Sequence, residues 1–146
     1  AMSEELHTAH LEALLGYNTR RAALHIIGAF MQNMAEFDLR PAEFSVLSLI
    51  RHNPGITSRQ LCAALNILPP NLVVILKHFE KRKLIARKPH PTDGRAIGLS
   101  LTPSGETLVA RAEEMSAASD LSATQSLSAA ERKTLMRLLQ KIYLTN

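Results

Sequence analysis

Residues 79–106 read FEKRKLIARKPHPTDGRAIGLSLTPSGE, in which two short runs of β-compatible residues flank a segment rich in turn formers. The runs cover residues 84–89 and 96–101, and the turn formers lie between them. Thr102 and Pro103 then fit the N-cap and the first position of a helix. The stretch therefore predicts a β-hairpin, over residues 84–101, that leads into a helix.

A helix-turn-helix is predicted just upstream of the hairpin. Thr57 and Gln60 form a capping box, so a short helix begins there and extends to about Leu65. A turn over residues 66–69 separates it from a second helix, which is expected to begin at Pro70 and to end near Lys83.

Longer helices are predicted at both ends of the chain. Apolar residues recur every three or four positions from about Leu6 to Glu36, which indicates one long amphipathic helix, and Pro41 begins another that ends near His52. The helix that begins at Pro103 is expected to run to about residue 122. A second capping box, Ser128 to Glu131, opens the terminal helix.

Composition points to one domain with a basic middle segment. The chain has 146 residues, is 46% hydrophobic and carries a formal net charge of +4. Residues 40–100 hold ten basic and three acidic side chains, a net charge of +7. A concentrated basic segment favours binding to a polyanion, because neutralising phosphates releases their counterions.

Several classes of protein are disfavoured by what the sequence lacks. No apolar run approaches the roughly 20 residues that span a bilayer, and there is no signal-peptide pattern, so we expect a cytoplasmic protein without a membrane partner. The single cysteine, Cys62, and the six histidines show no metal-ligand spacing. Nucleotide-binding and nucleophile motifs are absent as well. We therefore expect no metal, no cofactor and no enzymatic activity.

The chain resembles the MarR family of winged-helix transcriptional regulators over nearly its whole length. Residues 79–87, FEKRKLIAR, look like the family's recognition-helix end and the start of its wing. Asp93-Gly94-Arg95 looks like its wing tip, and the following residues 99–105, LSLTPSG, look like its closing Leu-Thr-x-x-Gly. Two positions depart from the pattern: Lys83 stands where the family usually has glycine, and Gly94 where a second arginine is frequent.

The resemblance implies a mainly α-helical fold with a small β-hairpin wing. It implies one domain over residues 1–146, in which about 6–36 and 103–146 are dimerisation helices and about 40–102 form the winged helix-turn-helix lobe. The expected function is that of a homodimer on a pseudo-palindromic operator in double-stranded DNA, acting as a ligand-released repressor. An activator of the same family, or a winged helix that only binds proteins, are the alternatives.

The second helix of the helix-turn-helix would enter the major groove. Leu72, Leu76 and Phe79 face inward by helical spacing. The expected DNA-contacting residues on this helix are Pro70, Asn71, Val74, Lys77 and His78. Asn71 would read a base edge and Val74 a thymine methyl group, unless Val73 or Val74 fills the crevice beneath the wing.

The wing supplies the other expected DNA contacts. Arg95 at its tip would enter the minor groove, with Asp93 orienting the guanidinium through charge-assisted hydrogen bonds. Arg87 and Lys88 on the hairpin, and Ser58 and Arg59 at the capped helix start, are expected phosphate anchors. Lys81 and Arg82 are interpreted as a solvated face, and Cys62 as a buried structural thiol.

An effector site is suggested on the first helix, where residues 15–22 resemble members that respond to aromatic acids or their coenzyme A thioesters. Arg20 and Arg21 could pair with a carboxylate or phosphate. Pocket-wall residues would be Tyr17 and His25, together with Met31 and Met34. The same two arginines could instead form intersubunit salt bridges or face water.

Overall fold

The computed structural model describes residues 5–90 and 92–144. The chain is mainly helical with one two-stranded antiparallel hairpin, which confirms the expected fold class. It divides into two compact units, residues 31–117 and residues 1–30 with 118–146. The predicted range 1–146 includes residues 1–4, 91 and 145–146, which lie outside the described residues, and the domain boundaries stay predictions.

The elements, in chain order, are α1 (Ala9–Glu12), α2 (Leu15–Asn33), a 3₁₀ turn (Ala35–Phe37), α3 (Pro41–His52), α4 (Ser58–Leu65), α5 (Pro69–Lys81), β1 (Ile85–Pro89), β2 (Ile97–Leu101), α6 (Pro103–Ala123) and α7 (Ala129–Tyr143).

The prediction of one helix from Leu6 to Glu36 was wrong. The chain breaks between α1 and α2, where the side-chain amide of Asn18 donates to the carbonyl oxygens of Glu12 at 2.8 Å and Leu14 at 2.7 Å. Asparagine competes in this way for backbone acceptors. At the other end, the helix gives way to the 3₁₀ turn, and Asp38 takes a left-handed conformation with φ 51°.

The helix-turn-helix was predicted to within a few residues. Its second helix, α5, begins at Pro69 and not at Pro70. Leu68 is extended, with φ −69° and ψ 139°, because a residue before proline avoids the α region, so the earlier proline starts the helix. The helix ends at Lys81 instead of near Lys83.

Arg82 is half-buried, so its interpretation as a solvated residue was wrong. Its guanidinium donates to the carbonyl oxygens of Phe37 and Asp38, each at 2.9 Å. These bonds hold the end of α5 against the 3₁₀ turn. The next residue, Lys83, has φ 59°.

The hairpin confirms the predicted wing and has an additional neighbour. Its register pairs Ile85 with Leu101 and Pro89 with Ile97. The backbone of Leu99 also exchanges two 2.8 Å hydrogen bonds with Gly55 and Ile56, just before α4. The wing is therefore fastened to the helix-turn-helix through backbone bonds that residue types alone do not predict.

One core holds the unit formed by residues 31–117. It is built from α3, α4, α5, the hairpin, the start of α6 and the segment around the 3₁₀ turn, so the positions of α4 and α5 are fixed by packing. Its fully buried side chains include Met34, Val46, Leu47, Ile50, Leu61, Leu72, Leu76, Phe79, Leu99 and Val109.

A polar cluster joins α3 to α6 within this unit. Glu113 accepts hydrogen bonds from Ser48 at 2.8 Å and from Arg51, and His52 Nε2 lies 2.7 Å from its carboxylate. Burial alone would raise the pKa of Glu113, but the hydrogen bonds from its partners lower it below the usual value. The carboxylate is therefore held in its ionised form.

The unit formed by residues 5–30 and 118–144 buries little. Among its described residues only Phe30 and Ser119 are buried. The second capping box is confirmed, since Ser128 Oγ accepts from the backbone of Glu131 at 3.1 Å. The exposed large apolar side chains here include Leu11, Leu14, Leu24, Ile27, Leu121, Leu135, Leu138, Leu139 and Ile142.

Within residues 5–90 and 92–144, no single helix is long and apolar enough to cross a membrane. Only α4 and α5 taken together, with a 117° bend between them, reach that length and composition.

Candidate nucleic-acid interface

The start of α4 is fixed by a capping box. Thr57 Oγ1 accepts from the backbone of Gln60 at 3.2 Å, and the Gln60 side chain accepts from the backbone of Thr57 at 3.0 Å. This confirmed capping box fixes the first turn, which carries Ser58 and Arg59. A helix N-terminus with a nearby cation favours a phosphate.

A short turn sets the angle between α4 and α5. Asn66 adopts a left-handed conformation with φ 52°, and the backbone N–H of Ile67 donates to Cys62 at 3.1 Å. The two helices meet with a 117° bend, which is within the range of helix-turn-helix motifs. The α5 helix therefore lies at a steep angle to α4 instead of packing parallel to it.

The α5 helix divides into a buried and an exposed face. Leu72, Leu76 and Phe79 are each no more than 1% exposed. The predicted contact residues on the other side are all exposed: Pro70, Asn71, Val74, Lys77 and His78. Asn71, Val74 and His78 follow one another at intervals of three and four, so they form a single stripe along the helix.

The two valines occupy different surroundings. Val74 is 68% exposed and belongs to the outward stripe. Val73 lies in a groove of about 440 Å³ whose lining includes Arg59, Cys62 and Arg87. Val73, which is 47% exposed, lies on the side of α5 toward the wing. Val74 lies on the side toward the start of α3, where it lines another groove with Arg40.

Cys62 is half-buried, so the prediction of a buried thiol was wrong. Its helix, α4, buries Leu61 completely, whereas the next position turns toward the groove.

The wing tip is held by its own side chains. His90 Nδ1 accepts from the backbone of Asp93 at 3.1 Å, and Asp93 Oδ1 accepts from the backbone N–H of Arg95 at 3.0 Å. The expectation that Asp93 orients the guanidinium was wrong, because a short aspartate reaches the backbone two residues on more readily than a long side chain. Arg95 is left exposed, and its guanidinium bonds to no described residue.

The basic side chains on the wing differ in their bonding. Lys88 is exposed and bonds to none of the described residues, whereas Arg87 Nε donates to Glu80 on α5 at 2.6 Å. The sequence pattern did not predict this pair, because the two side chains lie on a helix and on a strand whose packing the pattern does not show.

The predicted effector residues lie on α2. Tyr17, Arg21 and His25 are four residues apart and share one stripe, with Arg20 next to it. Tyr17 is half-buried and both arginines are exposed. His25 Nε2 lies 2.9 Å from the carbonyl oxygen of Ala123.

The two methionines offered as pocket walls differ. Met31 is half exposed, but Met34 is fully buried in the core of its unit, so its assignment to a pocket wall was wrong. Among the described residues, no cluster of histidine, cysteine and carboxylate side chains could hold a metal ion.

Comparison with known proteins agrees with this architecture. A sequence model of the MarR family matches residues 37–96. A putative transcriptional regulatory protein for the hcr operon of Thauera aromatica is 30% identical over 140 residues, 95% of this chain and 84% of that protein. The chain belongs to the MarR family.

Solved structures of a transcriptional repressor share the fold. The transcriptional repressor CouR bound to a 23-mer DNA duplex is 36% identical, with a TM-score of 0.88 over 95% of this chain and 99% of that one. CouR bound to p-coumaroyl-CoA is 35% identical, with a TM-score of 0.83 over 94% of this chain and 97% of that one. MarR-family proteins are transcriptional regulators, and this chain is a winged-helix regulator of that kind.

Proposed function

We propose that the protein is a homodimeric repressor that binds a two-fold operator and leaves it when a small aromatic ligand binds. The observation that carries this proposal is the stripe of exposed side chains on α5, next to a wing whose Arg95 guanidinium makes no bond to any described residue. A buried opposite face holds that stripe in place. Such a protein works in the compartment that holds the chromosome.

The outward stripe of α5 is proposed to read bases in the major groove. Asn71, near the helix start, has the amide that pairs with the edge of adenine. Val74, at 68% exposure, would pack against a thymine methyl group. Lys77 and His78 lie further along the helix, with donors for guanine or phosphate. Pro70, in the first turn of α5, would contact the DNA backbone.

Phosphate contacts are proposed for the elements on either side of α5. Ser58 and Arg59 lie at the N-terminus of α4, and Arg87 and Lys88 lie on β1. These contacts fix the register of the protein on the duplex but carry no sequence information. Their electrostatic nature makes salt dependence the expected signature.

Arg95 is proposed to enter the minor groove. A guanidinium at a hairpin tip is drawn to narrow A·T-rich grooves, where the negative potential is strongest. Asp93 contributes indirectly, since its carboxylate fixes the backbone from which Arg95 projects.

Dimerisation is supported by the apolar side chains that the unit formed by residues 5–30 and 118–144 leaves in water. On α7, Leu135, Leu138 and Leu139 are 37%, 46% and 38% exposed, and Ile142 is 70% exposed. A continuous apolar stripe of this kind marks an interface. A two-fold partner would cover it and would place two copies of α5 about one helical turn, ~34 Å, apart.

The proposed effector is an aromatic acid or its coenzyme A thioester. The complex of CouR with p-coumaroyl-CoA supports this class. In this chain, Arg20 and Arg21 would pair with carboxylate or phosphate groups, and Tyr17 and His25 would line the aromatic part. The ligand would bind best to a form in which the two recognition helices have a spacing that does not match the operator. It would therefore shift the population away from the DNA-bound form.

The test begins with an operator selected from random duplexes, whose affinity is then measured by fluorescence anisotropy over a range of salt. We expect specific binding that weakens linearly in log–log form as salt rises. Arg95→Ala should weaken it by about 1–3 kcal/mol, whereas Lys133→Ala on α7 should not. Failure to select any duplex would overturn the proposal.

The effector is tested by adding p-coumaroyl-CoA and p-coumarate to the preformed complex. We expect one of them to release the DNA and Arg20→Ala or Arg21→Ala to raise the concentration required. If neither compound releases the DNA or changes the melting temperature, the proposed ligand class is wrong.

A further inference from the structure

The acidic side chain of Glu80 lies inside the most basic part of the molecule. Its Oε1 accepts a hydrogen bond from Arg87 Nε at 2.6 Å, which joins α5 to β1. The two side chains are 40% and 39% exposed, so both remain accessible to solvent. A carboxylate is unexpected at a surface proposed to bind DNA, because it repels phosphate.

The geometry of the pair leaves most of the guanidinium unused. A guanidinium has five N–H donors, and the bond to Glu80 occupies the single one on Nε. The two terminal amino groups, with four N–H donors, bond to no described residue. They are the pair that grips a phosphate through two parallel hydrogen bonds.

The strand supports the same orientation. Ile85 and Arg87 are two residues apart on β1, so they share one face of the hairpin, and Ile85 is buried in the core. Arg87 therefore faces the helix-turn-helix and lines the same groove as Ser58 and Arg59 from the start of α4. A helix N-terminus and two cations thus converge on one place.

We propose that Glu80 is a positioning residue that holds Arg87 by its Nε edge and so aims the terminal amino groups at a DNA phosphate. The inference rests on the proposed function. It makes an unusual prediction about sign: removing this acid should weaken DNA binding, although removing a negative charge near a polyanion ordinarily strengthens it.

The experiment measures affinity for the selected operator duplex, with Glu80→Ala, Glu80→Gln and Arg87→Ala compared with the wild type. Exposed ion pairs are weak, so Glu80→Ala should lower affinity by roughly three- to five-fold. Glu80→Gln keeps an oxygen that can accept from Nε and should lie closer to the wild type. Glu80→Ala should also reduce the salt slope by up to about 1, as Arg87→Ala does, because one phosphate contact is lost.

A double-mutant cycle separates positioning from charge. In the Arg87→Ala background, Glu80→Ala should cause no further loss of DNA affinity, because the guanidinium that Glu80 positions is already absent. The matched control is the Lys88→Ala background, which removes a neighbouring exposed cation. In this background Glu80→Ala should cause the same loss of DNA affinity as it does in the wild type. Melting temperatures measured in parallel show that each variant is folded.

The outcomes distinguish this inference from the function on which it rests. A wild type without salt-dependent binding overturns the proposed function itself. A wild type that binds, with Glu80→Ala binding equally well or more tightly, overturns only the positioning role. Additive losses for Glu80→Ala and Arg87→Ala overturn it too.

Discussion

A methyl group on Gly105 would lie 2.1 Å from the carbonyl oxygen of Leu84. This close approach presses the first turn of α6 onto the backbone where β1 begins. Thr102 reinforces it, because its hydroxyl donates to the carbonyl of Lys83 at 2.7 Å and accepts from the backbone of Gly105 at 3.0 Å. The Leu-Thr-x-x-Gly sequence thus joins the wing to α6 through contacts that no larger residue permits.

Gly105→Ala should lower the free energy of unfolding by roughly 2–3 kcal/mol, because the clash is with backbone that can move only if the wing shifts. The gain in helix propensity, about 1 kcal/mol, does not offset it. Urea denaturation measures the change. Gly16→Ala is the control, since its added methyl meets nothing within 4 Å in α2. Equal stabilities for the two variants would contradict the close approach.

Lys83 has φ 59°, a conformation that glycine adopts freely and lysine does not. Lys83→Gly should therefore raise the free energy of unfolding by about 1 kcal/mol, measured by thermal melting. Lys83→Ala is the matched control, because alanine meets the same backbone strain without the charge. If alanine stabilises the protein as much as glycine, the effect comes from the charge and not from the backbone.

Features encoded within a few residues could be predicted from the sequence. Both capping boxes lie within four residues, and the starts of α3 and α6 follow from prolines with fixed φ. The exposed stripe of α5 follows from helical spacing, since Leu72, Leu76 and Phe79 must face the core.

Features that depend on distant residues could not be predicted. Arg82 bonds to backbone about 45 residues away, so its residue type gives no sign of burial. For Asp93, two groups of Arg95 compete for one carboxylate. The backbone N–H is bound, although the guanidinium carries the full positive charge. To predict the Glu80–Arg87 pair, one would have to know how β1 lies against α5.

The pH dependence of stability should reveal Glu113. Its hydrogen bonds place its pKa in the folded protein below the usual value of 4.5. A lowered pKa contributes stability that is complete above the value in the unfolded chain and is lost as pH falls through the folded value. Glu113→Gln should therefore lower the free energy of unfolding at neutral pH by about 2 kcal/mol, and the difference from the wild type should shrink below pH 4.5.

Urea denaturation over a series of pH values checks this expectation. Glu114→Gln is the matched control, because Glu114 is exposed and bonds to no described residue. A difference between Glu113→Gln and the wild type that stays constant down to acidic pH would show that the ionised carboxylate is not what stabilises the contact between α3 and α6.

The apolar stripe of α7 should decide the oligomeric state. Leu138 is 46% exposed, with Leu135 one turn before it and Leu139 next to it. A charge buried in a dimer interface without a partner costs several kcal/mol, so Leu138→Asp should produce a monomer at micromolar concentration in size-exclusion chromatography with light scattering. Gln140→Asp introduces the same charge on the polar side of α7 and should remain dimeric. Because a single helix-turn-helix contacts only one half-site, the monomer should also lose operator affinity, and a Leu138→Asp dimer that binds normally would place the interface elsewhere.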